Sequence, residues 1–144
     1  MKVSECMTQD VRIVDPGETL QDAARTMAEI DAGFLPVGKN DRLVGIITDR
    51  DIAIRAVATG RSSNAKIGDV MSQEVRYCYA DDTVEDILDN MAQQQLRRLP
   101  VVDRDKRLVG IVSITDLATN GEAAHSGEAL CEIARPSGLH SQAI

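Results

Sequence analysis

Thr48-Asp49-Arg50-Asp51 and Ser113-Ile114-Thr115-Asp116 are the two places where residue types and spacing could do chemistry. In each, a hydroxyl stands three residues ahead of a carboxylate, just after an apolar run containing Gly: Gly45-Ile46-Ile47 and Gly110-Ile111-Val112. A hydroxyl at a helix N-cap and a carboxylate three residues on lie on the same side of the first turn. The hydroxyl donates or accepts, whereas an ionised carboxylate only accepts, so the pair suits a sugar diol such as ribose. The exposed amides and positive end of the helix favour a phosphate nearby. The same spacing is also the ordinary capping box, in which each side chain satisfies the other residue's backbone N–H. One copy would carry no more than that. Two copies, each preceded by Gly and an apolar strand, favour nucleotide binding over capping alone. Catalysis finds less support: there is no G-x-G-x-x-G, no phosphate loop ending Gly-Lys-Ser/Thr, and no His outside the tail to act as base beside Thr48, Ser113 or a Cys. Asp10, Asp49 and Asp51 lack a partner acid or a metal constellation, so an enzyme is not expected.

The two motifs belong to a longer duplication. At one constant offset Met7 meets Met71, Val11 meets Val75, Thr19 meets Thr83, Met27 meets Met91, and Leu35-Pro36-Val37 meets Leu99-Pro100-Val101. One extra residue near Lys106 then shifts the offset, after which Leu43-Val44-Gly45-Ile46 meets Leu108-Val109-Gly110-Ile111 and Asp51 meets Asp116. Two copies are too few for a solenoid, which needs about three stacked units. The reading is two similar halves, 1–61 and 66–121, facing each other about an approximate two-fold axis and sharing a core. Residues 122–144 form a C-terminal tail.

Positioning elements follow from the pattern. Val11-Arg12-Ile13-Val14 and Val75-Arg76-Tyr77-Cys78 are β-prone, the first closed by Asp15-Pro16-Gly17. Thr19 and Thr83 are N-caps with Asp22 and Asp86 three positions on; Leu20, Ala23, Ala24 and Met27, or Val84, Ile87, Leu88 and Met91, form the apolar stripe of the helix that follows. Strands around Leu35–Val37 and Leu43–Thr48 flank the turn Lys39-Asn40-Asp41-Arg42, with counterparts around 99–102 and 108–113. The second strand of each pair is nearly all apolar, as expected for burial on both faces. In the first half, a helix capped by Thr48 or Asp49 then buries Ile52, Ala53, Ala56 and Val57 and stops at Gly60. Beyond Asn120 the periodicity fades into a tail, with a short helix over 128–134 packing Leu130 and Ile133 as the alternative.

Totals narrow the partners. The 144 residues carry 16 Lys plus Arg against 23 Asp plus Glu, a formal charge of −7, which opposes nonspecific phosphate attraction to nucleic acid. Phe34, Tyr77 and Tyr79 are too few to stack single-stranded bases. No apolar stretch reaches the roughly 20 residues of a membrane span and the N-terminus lacks a signal-peptide core, so the expectation is a cytoplasmic protein. Cys6, Cys78 and Cys131 fit neither a disulfide framework nor a zinc site; Cys6 and Cys78 align with Val70 and Val14 and read as buried apolar residues. His125 and His140 have no Cys or carboxylate at ligand spacing, so no metal is expected.

Met-Thr/Ser near each start, Leu-Pro-Val in the middle and Val-Gly-Ile-hydrophobic-Thr/Ser-x-x-Asp near each end together resemble a tandem pair of CBS domains, the Bateman module, over about residues 2–120. The resemblance implies an α+β fold of two β-α-β-β-α repeats packed sheet to sheet, two clefts related by a pseudo-two-fold, an adenine-containing regulatory ligand (AMP, ADP, ATP, NAD or S-adenosylmethionine), and homodimers shaped as a flat disc. Carried onto this chain, one cleft would combine Ile111, Ser113 and Asp116 with Met7, Arg12, Ala32, Gly33 and Phe34. The other would combine Ile46, Thr48 and Asp51 with Met71, Arg76, Leu96, Arg97 and Arg98. Apolar groups would sandwich the adenine and the hydroxyl–acid pair would hold the ribose. Arg97 and Arg98, with Arg50, suit phosphate contacts, which points to the Thr48–Asp51 cleft for a phosphorylated ligand. The function so implied is energy- or redox-state sensing, passed to an unidentified partner protein as signal transduction. The alternative is a ligand-free interaction scaffold.

Overall fold

The computed structural model describes residues 1–120 and 123–135. Thr19 has extended backbone; its hydroxyl accepts the Asp22 N–H at 3.1 Å, and the Asp22 carboxylate accepts the Thr19 N–H at 3.0 Å. This reciprocal box starts α1 (Leu20–Ile30). Thr83 starts α3 (Val84–Gln94) with the one bond from Asp86 N–H, at 3.3 Å. Val84, Ile87, Leu88 and Met91 are all buried, whereas on α1 Leu20, Ala23 and Met27 are buried and Ala24 is exposed, against expectation. Leu88 shares its apolar cluster with Ala129 and Ile133 from the C-terminal segment, cover that Ala24 lacks. Both helices end on a left-handed residue, Asp31 (φ 53°) and Gln95 (φ 54°).

β1 (Phe34–Lys39) and β2 (Arg42–Thr48) form an antiparallel hairpin that runs from Phe34 opposite Thr48 to Val37 opposite Gly45, then shifts register so that Gly38 faces Leu43 and Lys39 faces Arg42. Asn40 and Asp41 both take positive φ, 55° and 63°, the backbone of a two-residue turn that follows the strand twist. The β-prone segment before α1 contributes one parallel bridge, Val14 to Val37, instead of a strand. Pro16 has no N–H to extend the ladder. In the second repeat the corresponding strand is β3 (Cys78–Tyr79), parallel to β4 (Arg98–Val102), and the sheet order is β3-β4-β5 with β5 at Leu108–Ser113.

Burial along β2 and β5 alternates: Gly45 and Ile47, or Gly110 and Val112, are buried, while Ile46 and Thr48, or Ile111 and Ser113, are half-buried. The expected burial of these strands on both faces is not met. Each has one core face and one partly open face that remains apolar.

After β2, α2 (Asp49–Asp51) runs through a π-helical turn, Ile52–Ala56, into a 3-10 turn, Val57–Thr59, and stops at left-handed Gly60 (φ 82°). Only Ala56 of this stretch is fully buried; Ala53 is exposed and Val57 is 69% exposed, against the expectation that both lie inside. The switch of hydrogen-bond pattern shifts the helical phase on which that expectation rests. In the second repeat α4 (Ile114–Thr119) buries Ile114 and Leu117.

The tail is helical earlier than expected: α5 spans Ala123–Ala134 and packs on α3 and α4. Ile133 is buried, but Leu130 is 43% exposed, so the second contact expected of this helix is not made. His140 lies outside the described residues.

Two compact units result, and they do not follow the repeat boundaries. One comprises residues 1–9, 77–105 and 109–144; the other comprises 10–76 and 106–108. Each repeat's opening segment therefore completes the unit built mainly from the other repeat. Each unit has its own apolar cluster, around Leu88, Met91 and Val101 in the first and around Leu35, Val37 and Ile47 in the second, and each draws on both repeats: Val3 and Cys6 join the first, Ile67 and Val70 the second. Cys6 and Cys78 are buried in the first cluster, as their alignment with Val predicts. No helix among the described residues is long and apolar enough to cross a membrane.

Candidate functional site

Both capping boxes are fully formed. The Thr48 hydroxyl accepts the Asp51 N–H at 3.0 Å while the Asp51 carboxylate accepts the Thr48 N–H at 3.1 Å; Ser113 and Asp116 repeat this at 3.0 and 3.1 Å. The structural role that their spacing allows is thus realised in both units. It does not exhaust them. A hydroxyl that accepts one bond keeps its O–H to donate, and a carboxylate that accepts one bond keeps further acceptor positions. All four residues are half-buried.

The glycine before each pair has a steric cause. A Cβ on Gly45 would lie 2.6 Å from Met71 Sδ and 3.0 Å from the Ser72 carbonyl; on Gly110 it would lie 2.6 Å from Met7 Sδ and 2.9 Å from the Thr8 carbonyl. The absence of a side chain lets the Met-Ser and Met-Thr segments clasp the strand. Ile46 N–H donates to Ser72 O at 3.0 Å and Ser72 N–H to Ile46 O at 2.8 Å; Ile111 and Thr8 exchange the same bonds at 2.9 and 2.8 Å. Met71 therefore covers Gly45 on the core side of the strand and Met7 covers Gly110, while Ile46 and Ile111 face the half-open side; all four Met and Ile residues are half-buried.

The loops before Leu-Pro complete each arrangement within its own unit. Asp49 N–H donates to Gly33 O at 2.9 Å, and Phe34 pairs with Thr48, so Ala32, Gly33 and Phe34 border the Thr48–Asp51 turn. Ile114 N–H donates to Arg97 O at 2.9 Å, which sets Leu96, Arg97 and Arg98 against Ser113–Asp116. The crosswise partners that the resemblance assigned to these loops lie in the other unit. Arg12, of the unit holding Thr48, binds Glu29 at 2.7 Å, and Arg76 of the same unit is exposed.

The two sites differ in charge. At Gly33 a side chain would collide with the Asp49 carboxylate, 2.7 Å from Cγ. The equivalent pair in the other unit is Arg97 with Ile114. One turn thus carries Asp49, Arg50 and Asp51, and the other Asp116 beside the exposed Arg97 and Arg98. Under the second turn, burial pushes the Cys6 thiol up, with the Asp116 and Glu5 carboxylates adding to it. The sequence reading pairs the arginines with Thr48 and Asp51, which belong to the other unit; within their own unit they border Ser113–Asp116.

The repeats match the family model for the CBS domain over residues 3–57 and 67–121. The CBS domain-containing protein YhcV of Bacillus subtilis is 42% identical over 132 residues, covering 91% of this chain and 94% of that protein. The crystal structure of Hypoxic Response Protein I with two coordinated zinc ions is similar at TM-score 0.75 and 38% identity, covering 83% of this chain and 98% of that one. The CBS domain pair of protein MJ0100, in complex with 5′-methylthioadenosine and S-adenosyl-L-methionine, is similar at TM-score 0.74 and 26% identity, covering 86% and 98%. Among the described residues of this chain no three His, Cys, Asp or Glu side chains are grouped to hold a metal ion.

Proposed function

The chain belongs to the CBS-domain family, and on that footing we propose that it is a regulatory module that binds adenosyl ligands and passes their occupancy to a partner protein. The observation that carries this reading is the half-open apolar strand face presented by Ile46 and Ile111, ending in each unit on a hydroxyl–carboxylate pair with hydrogen-bonding capacity to spare. Ile46 or Ile111 lies against an adenine; Thr48 with Asp51, or Ser113 with Asp116, hold the ribose hydroxyls. MJ0100, which binds two adenosyl compounds on a similar fold, supports the ligand class.

Charge separates the two sites. Arg97 and Arg98 suit a phosphorylated ligand such as AMP, ADP, ATP or NAD beside Ser113 and Asp116, because guanidinium groups contact phosphate bidentately. Asp49 repels phosphate at the Thr48–Asp51 site, which suits an uncharged or cationic adenosyl ligand. This reverses the preference drawn from the sequence, which counts Arg97 and Arg98 toward Thr48 and Asp51. A ligand shifts a conformational equilibrium only through contacts that differ between the states, so transmission requires a bound form distinct from the free one.

Complete capping boxes favour a second reading, a scaffold whose hydroxyl and acid serve only the helix. A thermal-shift series with AMP, ADP, ATP, NAD, 5′-methylthioadenosine and S-adenosylmethionine decides between them, since a ligand selective for the folded state raises the melting temperature with concentration. No shift with any of the six supports the scaffold.

A further inference from the structure

Two thiols that the sequence leaves without a partner are brought to one place by the fold. The opening segment steps along the residues between β3 and α3: Lys2 bridges Thr83, Val3 N–H donates to Asp82 O at 2.9 Å, and Ser4 N–H donates to Ala80 O at 3.0 Å. Continued to the end of the segment, that descent brings Cys6 to the level of Cys78. Both are free, both lie in the apolar cluster of the same unit, and they are 8% and 2% exposed. Each S–H turns to a backbone carbonyl, Cys6 to Val3 O at 3.5 Å and Cys78 to Pro100 O at 3.7 Å. Burial pushes the Cys78 thiol up to about 12, with the Asp82 carboxylate and the Cys6 sulfur adding to it, so charge on one sulfur is felt at the other.

The sister unit shows that packing alone does not call for sulfur here. The positions equivalent to Cys78 and Cys6 are Val14 and Val70, both buried in the second cluster. Valine thus serves on both segments of one unit, and cysteine replaces it on both segments of the other.

From this placement we propose that Cys6 and Cys78 form an oxidation site, closing to an intramolecular disulfide under a peroxide and reopening under a thiol reductant. Cys6, the more exposed of the two, takes the oxidant. Its sulfur attacks one oxygen of hydrogen peroxide, the O–O bond breaks, and the other oxygen leaves as water with the thiol proton, giving a sulfenic acid. The Cys78 sulfur then attacks the Cys6 sulfur, the S–O bond breaks, and the hydroxyl leaves as water with the Cys78 proton. Two thiols lose two electrons, and one peroxide becomes two waters. Burial keeps both thiols protonated, so the reaction is slower than at the exposed Cys131. Met7 and Thr8 follow Cys6 directly, so the bond also fastens the Thr8–Ile111 clasp. It needs no ligand, and its failure leaves the adenosyl reading untouched.

The full chain carrying Cys131→Ser has only these two thiols. Treated with hydrogen peroxide while folded, it is expected to yield, on non-reducing digestion, a peptide pair joined through Cys6 and Cys78, and dithiothreitol should restore both thiols. The linked protein should melt about 5–12 °C above the reduced one, because the bond closes a long loop of the unfolded chain. Hydrogen exchange at the Thr8 and Ile111 amides should slow by about tenfold or more. Cys6→Val with Cys78→Val, the pair of the sister unit, should fold, melt near the reduced protein and gain nothing from peroxide, which separates the bond from oxidation at methionine. A sulfenic or sulfinic acid with no link, a link that forms only in denaturant, or a linked protein that melts at or below the reduced one overturns the proposal.

Discussion

Replacing Asp116 with Ala separates the two roles that one carboxylate can hold. In the free protein Asp116 accepts the Ser113 N–H at 3.1 Å, and its own N–H remains bonded to the Ser113 hydroxyl at 3.0 Å. The substitution removes only the first bond. By the usual cost of a lost capping interaction this is about 1 kcal/mol, which lowers the melting temperature of a chain this size by about 3–5 °C. If the carboxylate also accepts ribose hydroxyls, the ligand loses charge-assisted hydrogen bonds worth about 1.5–3 kcal/mol, a fall in affinity of about 10- to 150-fold. Calorimetric titration with ADP gives the second number and thermal unfolding without ligand gives the first. Asp116→Asn keeps an acceptor for Ser113 and removes the charge, so it should recover most of the stability and little of the affinity. A variant that loses the expected stability yet binds ADP as tightly as the wild type refutes the ribose role and leaves Asp116 a cap.

Arg97→Ala should weaken ADP binding by about tenfold while leaving adenosine binding within about twofold, because the guanidinium serves the phosphates alone; equal losses in titrations of both ligands would count against the assignment. Gly45→Ala and Gly110→Ala place a methyl group within about 3 Å of a Met sulfur and a carbonyl oxygen, so each should cost about 1–3 kcal/mol in denaturant unfolding. Removing residues 1–9 exposes the site of fully buried Val3, worth about 1.5–3 kcal/mol alone, and cuts the Thr8–Ile111 bonds. Hydrogen exchange should then accelerate in α3 far more than in α1. The Thr19 N–H and hydroxyl hold the Asp22 carboxyl below its ordinary value of 3.8. Asp22 therefore stabilises the fold above that value and loses its contribution as the pH falls through the lowered one, so the stability gap between wild type and Asp22→Asn should close below about pH 3.8 in acid unfolding.

Local rules that depend only on near neighbours in the chain were legible. Thr19 with Asp22, Thr48 with Asp51, and Ser113 with Asp116 all cap as their spacing requires, and Gly60 ends its helix in the left-handed region. What escaped depends on other segments. Ala24 and Leu88 occupy the same step of the same helix, and only the presence of α5 over one of them decides that Leu88 is buried and Ala24 is not. Val57 falls inside only on an uninterrupted α-helical period, which the π turn at Ile52–Ala56 breaks. Ile46 and Ile111 look like core residues by composition, yet they face the partly open side of their strands. An apolar residue retained where water still reaches is a feature of binding surfaces, so that misreading of burial points to the site.

The exchange of opening segments explains why the motif residues are so far apart in sequence. Met7 and Gly110 meet in one unit, and Met71 and Gly45 in the other, so neither clasp forms from a single repeat. A lone repeat would leave Ile46 or Ile111 without the backbone partner that fixes its carbonyl and N–H, and its strand edge unpaired. Duplication is therefore a condition of the site as well as a source of two sites. Once each unit owns a complete clasp, the residues that are not needed for it are free to diverge. The substitutions at the pre-Leu-Pro loop follow that logic: Gly33 with Asp49 and Arg97 with Ile114 change the charge over the turn while leaving the Asp49–Gly33 and Ile114–Arg97 backbone bonds the same length, 2.9 Å. On the proposed reading, two sites with one geometry and opposite charge would respond to two different adenosyl compounds, and titrating ADP against protein already saturated with S-adenosylmethionine tests this directly. Independent sites give an unchanged ADP stoichiometry, whereas a single shared site gives competition.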